Sequence, residues 1–197
     1  MEIHMVHDIQ AAYRKLLNCM SRPGVIESIE DESSKIHIDI KVLNSTLVLM
    51  LILLDSEVSF KIVSKYETEI SKFVQRLTYA KAESVEKADF IFVLKDSDNI
   101  MLEEALTYAK EGDLINPHKS ATVVIETNKI SNEKKFSLKG PGVKDENYID
   151  VGLNEIWLEK LHEKNIEFPM GIDIVFTDVN SNLTCLPRTT RVLRKVN

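Results

Sequence analysis

Apolar residues first fall into register near the amino-terminal end of the chain. Ile9, Ala12, Tyr13, Leu16, Leu17 and Met20 follow the i, i+3, i+4, i+7, i+8 spacing of one helical face. The pattern predicts an amphipathic helix beginning at Asp8, whose carboxylate suits the unsatisfied N–H groups of a first turn. Pro23-Gly24 ends it, with Arg22 near the negative end of the helix dipole. The unbroken apolar run Leu47–Leu54 has no decisive period. Its Leu and Met content, and the polar Asn44-Ser45-Thr46 ahead of it, favour a buried helix over a strand.

From there strands and helices alternate. Val58–Val63 reads as a strand, and Ser64 with Glu67 forms a capping-box signature before a helical stripe of Ile70, Phe73, Val74 and Leu77. Phe90–Leu94 is the continuous apolar run of a strand covered on both faces. Leu102, Ala105, Leu106 and Ala109 predict another helix, with Gly112 as its cap. Ala121–Glu126 and Lys135–Lys139 read as strands, and the polar stretch between them suits a hairpin. Leu153, Ile156, Trp157 and Leu161 mark a last helix, closing near Asn165. A Phe168-Pro169-Met170-Gly171 turn then leads to strands at Ile172–Thr177 and Leu183–Leu186. This order predicts an α/β fold, a three-layer sandwich with a mixed sheet, in one domain over residues 1–197.

Composition narrows the class. With 44% hydrophobic residues, six glycines and five prolines in 197, the chain is neither disordered nor collagen-like. A net charge of −6 argues against a general nucleic-acid binder. The charge is uneven, however. Residues 27–39 lean acidic, whereas the segment 187–197 holds Arg188, Arg191, Arg194 and Lys195 with no acidic residue. No apolar run approaches the ~20 residues of a membrane span, and the start does not resemble a secretion signal. Cys19 and Cys185 form no metal-type pair and suit reduced, buried thiols; together these features point to the cytoplasm.

Familiar catalytic signatures are missing. No GxGxxG, GxxxxGK[ST] or GxSxG is present, and His162-Glu163 does not complete HExxH. His4 and His7 lack the further ligands of a metal site. Three segments still carry directional chemistry. Met20-Ser21-Arg22-Pro23-Gly24 is a rigid turn that either stops a helix or aims Arg22 at an anion or partner carboxylate. Leu138-Lys139-Gly140-Pro141-Gly142-Val143 either turns a corner or presents backbone N–H groups to an anion. Leu186-Pro187-Arg188-Thr189-Thr190 flanks an arginine with hydroxyls, suiting phosphate or phosphonate oxygens, and equally reads as a strand exit blocked by proline. Asp173, at the start of its strand, either pairs with one of these arginines or faces solvent.

With Arg14…Leu17 ahead of the first segment, Pro117…Ser120-Ala121-Thr122 after it, and Phe168-Pro169-Met170-Gly171-Ile172-Asp173 before the last, five motifs stand in one order. In that order, over about residues 8–192, the chain resembles the PhnH family, the H subunits of bacterial carbon–phosphorus lyase systems. The charged stretch Glu30–Lys41 departs from the family pattern. The resemblance implies a fold similar to the large domain of pyridoxal-phosphate-dependent transferases, without use of that cofactor. It implies a homodimer in isolation and a core complex with the G, I and J subunits. That complex joins a phosphonate to the ribose of ATP with release of adenine, the nucleosidase chemistry being associated with the I subunit. No catalytic residue and no metal ligand carries over. Arg22, Gly24, Lys139, Gly140, Gly142, Asp173, Arg188 and Thr189 are candidate anion-binding or interface positions. Two other readings stay open: a free-standing pyridoxal-phosphate enzyme using Lys139 as its Schiff-base lysine, and a non-catalytic dimeric scaffold.

Overall fold

The helical stripe from Ile9 to Met20 forms α1 (His7–Ser21) in a computed structural model that describes residues 3–195. Asp8 lies inside the first turn. It accepts from His4 N–H at 2.7 Å and from Lys35 Nζ at 2.8 Å. The Lys35 bond, followed by that from His4, holds its carboxyl below the usual aspartate range. After β1 (Glu27–Ser28) and the one-turn α2 (Glu30–Ser33), the apolar run folds as the expected helix, α3 (Asn44–Leu53), with Ser45–Met50 all buried. Then come β2 (Ser59–Val63), α4 (Glu67–Thr78), β3 (Lys81–Ala82), β4 (Phe90–Val93), α5 (Asn99–Tyr108) and β5 (Thr122–Thr127). The remainder is β6 (Ser131–Lys139), β7 (Asn147–Asp150), α6 (Ile156–Lys164), β8 (Asp173–Asp178), β9 (Asn182–Leu186) and β10 (Arg191–Arg194).

Seven strands form one mixed sheet in the order β1-β9-β8-β5-β4-β2-β3. From β8 to β3 neighbours run parallel, and β9 is antiparallel to both β8 and β1. The sheet is apolar on both faces, as the continuous runs in β4, β5 and β8 require. On one face Leu16, Leu47, Ile70 and Val74, from α1, α3 and α4, pack over Ile62, Phe92, Val124 and Val175. On the other, Leu106 of α5 and Trp157 of α6 join Phe136, Phe176 and Val192. Trp157 meets Phe136 and Phe176 edge-on, with ring centres 5.3 and 5.2 Å apart. Cys19 and Cys185 meet within the first core as buried free thiols, and burial raises the Cys185 thiol well above its ordinary value.

Three local expectations are corrected. The hairpin between Ala121–Glu126 and Lys135–Lys139 does not form. Strand β5 sits mid-sheet with both edges taken by β4 and β8, so β6 leaves for a second, antiparallel sheet of order β10-β6-β7. The capping box at Ser64 and Glu67 is absent. Ser64 Oγ accepts from Tyr66 N–H two residues ahead, while Glu67 pairs with Lys61 at 2.5 Å. Gly112 does not cap α5, which closes at Ala109; Asp98 caps its start instead, accepting from Met101 N–H at 2.9 Å.

Glu126, on β5, is 5% exposed. Its Oε1 accepts from Leu43 N–H at 2.9 Å and from the Thr46 hydroxyl at 2.7 Å; Oε2 accepts from Lys95 N–H at 2.9 Å. The carboxylate thus sits at the start of α3, where the helix dipole favours an anion. Burial pushes the Glu126 carboxyl above the ordinary glutamate range, against the pull of these three bonds. The folded state therefore holds this proton to higher pH than the unfolded chain. Its contribution to stability is greatest below the ordinary glutamate range and falls as pH rises through that range to the raised value. Urea denaturation from mildly acidic to neutral pH is expected to show this decline in the native chain and its loss in Glu126→Gln. That variant is also less stable throughout, because its amide N–H would face the Lys95 N–H.

Candidate functional site

Strands β8 and β9 run antiparallel, so the residue opening β8 lies beside the loop leaving β9. Asp173 opens β8 and Arg188 follows Leu186 and Pro187, which puts acid and base side by side. Asp173 Oδ1 accepts from Arg188 N–H at 2.7 Å and Nε at 3.3 Å, and Oδ2 accepts from Nη2 at 2.5 Å. The guanidinium also donates through Nη1 to the Pro117 carbonyl at 2.8 Å and through Nη2 to Ser120 Oγ. Both side chains are largely buried, Arg188 17% and Asp173 15% exposed. Of the two openings left for Asp173, the structure takes the ion pair. Arg188 is spent inside the protein, clamping three distant segments together at the amino ends of β5 and β8.

Glycines bring in the other two motifs. A Cβ on Gly140 would lie 2.8 Å from the Thr189 carbonyl oxygen, and one on Gly142 would lie 2.0 Å from the Ser21 carbonyl oxygen. Both take positive φ, +141° and +81°. Gly24 fits against Leu138 and Asn147, whose side-chain amide donates to the Pro23 carbonyl at 2.7 Å. All five sequence motifs therefore form one connected patch.

Beside the patch, between α6, the loop that follows β6 and the segment from Arg188 to Leu193, opens a cleft of about 840 Å³. Of the candidate residues, Lys139, Gly140, Arg188 and Thr189 line it. Asp173 supports it through Arg188, whereas Arg22, Gly24 and Gly142 lie outside it, on the adjoining side of the patch. Lys139 is exposed and reaches Glu146 at 3.6 Å. Arg22 and Arg191 are exposed cations that form no ion pair among the described residues. Thr190 is buried, and its hydroxyl has no hydrogen-bond partner among the described residues.

The apolar rim is absent from the sequence reading. Ile166 is 81% exposed, Phe168 74% and Leu193 53%, and all three line the cleft. The last of these comes from β10, within what the sequence presents as a basic tail; residues 196–197 of that tail lie outside the described residues. A period-two signal was there, since Val192 is buried between exposed Arg191 and Leu193, but four residues are too few to separate from a charged end. His162, exposed on α6, bonds through Nε2 to the Val192 carbonyl at 2.8 Å and closes the free edge of that strand. No group of three or more potential metal ligands occurs among the described residues. No described helix is long and apolar enough to cross a membrane. An apolar cleft with a basic rim can bind a partner surface or an amphipathic anion.

The family model of the bacterial phosphonate metabolism protein PhnH matches residues 3–193. The chain belongs to that family. Among similar proteins, the putative C-P lyase subunit protein HtxG of Stutzerimonas stutzeri is 29% identical over 184 residues, covering 93% of this chain and 85% of the relative. The alpha-D-ribose 1-methylphosphonate 5-triphosphate synthase subunit PhnH of Rhizobium meliloti (strain 1021) is 25% identical over 192 residues, covering 96% and 92%. The five motifs that carried the resemblance all fall within the matched span.

Proposed function

We propose that this protein is the H-type subunit of a carbon–phosphorus lyase core complex. In that complex it supports transfer of phosphonate to the ribose of ATP with release of adenine, alongside the G, I and J subunits in the cytoplasm. It is a homodimer before it joins them. Its part is to present a docking surface, and the motif-built cleft is that surface. The fold likeness to the large domain of pyridoxal-phosphate-dependent transferases belongs to the same reading; a parallel sheet with one antiparallel strand near its edge supports it.

The observation that carries the reading is the convergence of the five family motifs on one patch whose polar groups hold loops in place. Arg188 and the glycines shape the cleft, and Ile166, Phe168 and Leu193 stay exposed around it. Relatives named as subunits support an assembly partner for such a rim. The test is co-expression with the G, I and J subunits and affinity capture through the tagged I subunit. The native chain is expected to co-purify stoichiometrically. Phe168→Asp with Ile166→Asp is expected to lose capture by about tenfold or more with its melting temperature unchanged, since both residues are solvent-facing. Equal capture of native and variant chains overturns the docking surface; no capture of the native chain overturns the subunit role.

A further inference from the structure

The loop that carries Ile166 and Phe168 is closed at its neck by one side chain. It runs from the end of α6 at Lys164 to the start of β8 at Asp173, with no helix or strand of its own. Asn165 spans the neck. Its Oδ1 accepts from Ile172 N–H at 2.8 Å, and its Nδ2 donates to the Ile172 carbonyl at 3.2 Å. One planar amide thus supplies both the acceptor and the donor that a neighbouring strand would offer Ile172. Asn165 is itself held, since its N–H donates to the Leu161 carbonyl of α6 at 3.0 Å.

The glycine of the fourth motif makes room for this latch. A Cβ on Gly171 would lie 2.3 Å from Asn165 Oδ1, and its φ of +133° favours glycine in any case. The rest of the loop is tied by backbone bonds. Gly171 N–H donates to the Glu111 carbonyl at 2.9 Å, and Met170 N–H to the Glu167 carbonyl at 2.9 Å. Ile166 and Phe168, by contrast, face water and contribute little packing to hold the backbone beneath them. Their placement therefore depends on the bonds at the neck and base of the loop. Compact loops with closed necks are frequently functional. Here the latch keeps two large apolar side chains presented together at the mouth of the cleft.

We propose that Asn165 is a positioning residue for docking: it pre-orders the loop so that Ile166 and Phe168 meet the partner subunit without first being fixed. This rests on the docking reading of the cleft. An ordered loop loses less conformational freedom on binding, so the latch raises affinity. It acts through the loop, because Ile172 takes up both ends of its amide. Two measurements test it: hydrogen exchange of the free chain, and surface plasmon resonance on immobilised G, I and J subunits. Asn165→Ala is expected to speed exchange across residues 166–172, leave β4 and β5 as protected as before, and weaken binding about tenfold. Gly171→Ala, which displaces the amide from the other side, is expected to reproduce both effects. Ile166→Ala with Phe168→Ala also weakens binding. Adding Asn165→Ala to that pair is expected to cost about twofold or less, because the latch then positions nothing. A general structural role would cost the same tenfold in both backgrounds. That outcome, unchanged exchange across 166–172, or equal binding by the native and Asn165→Ala chains overturns the positioning role and leaves the docking surface standing. No binding by the native chain overturns the subunit reading, and this role with it.

Discussion

Arg188→Ala is expected to lower the unfolding free energy by about 2–4 kcal/mol, just below the range for breaking a fully buried ion pair. Arg188 and Asp173 are 17% and 15% exposed, so a little solvent reaches the pair. Removing the guanidinium leaves Asp173 as an ion held only by the Arg188 N–H, and strips the Pro117 carbonyl and Ser120 hydroxyl of their donor. Urea denaturation measures the loss. Arg188→Lys is expected to recover less than half, because one ammonium cannot reach the carboxylate, the carbonyl and the hydroxyl in three directions. The double variant with Asp173→Ala is expected to cost less than the sum of the single ones, since the second removal no longer strands a charge. If Arg188→Ala unfolds at the same urea concentration as the native chain, the clamp is not structural. Capture by the complex is expected to fall with the clamp, because the 187–190 loop forms one wall of the cleft.

Gly142→Ala is expected to cost about 3 kcal/mol, from two sources that a second glycine separates. An alanine at φ +81° pays the left-handed backbone cost of about 1–2 kcal/mol. Its Cβ would also lie 2.0 Å from the Ser21 carbonyl oxygen, a backbone atom that moves only if the two motif loops part. Gly152 also has positive φ, +62°, but its nearest neighbour, the Lys129 carbonyl oxygen, stands at 3.1 Å. Gly152→Ala is therefore expected to pay mainly the backbone cost. For a chain of this size, each kcal/mol moves the melting temperature by roughly 2–4 °C, so a thermal melt resolves the two. Equal melting temperatures would mean that the contact between the first and third motifs contributes nothing.

Much of the frame was legible along the chain. The helical stripes of α1 and α4, the buried helix α3 and the strands β2, β4, β5, β8 and β9 follow from periodicity and burial demand, which are local in sequence. The second sheet was not: of it only Lys135–Lys139, within β6, reads as a strand, because β6 carries a polar first half and β7 and β10 lack the continuous apolar run that marks the equally short β4. Capping was also misread. Ser64 and Asp98 are both plausible caps by residue type, and only the path of the chain out of β2 and β4 decides which one meets a helix.

The same division applies to the site. Order and residue type alone set the five motifs, the candidate arginines and glycines, and the family to which they point. Tertiary structure alone decided what those residues do. Arg188 can meet a ligand or a carboxylate, and it meets Asp173 because the antiparallel turn between β8 and β9 brings together residues 15 apart in sequence. The apolar rim likewise exists only after folding. Which side chains stay exposed is settled by what packs over them, and a sequence pattern specifies the face of each element but not its neighbour.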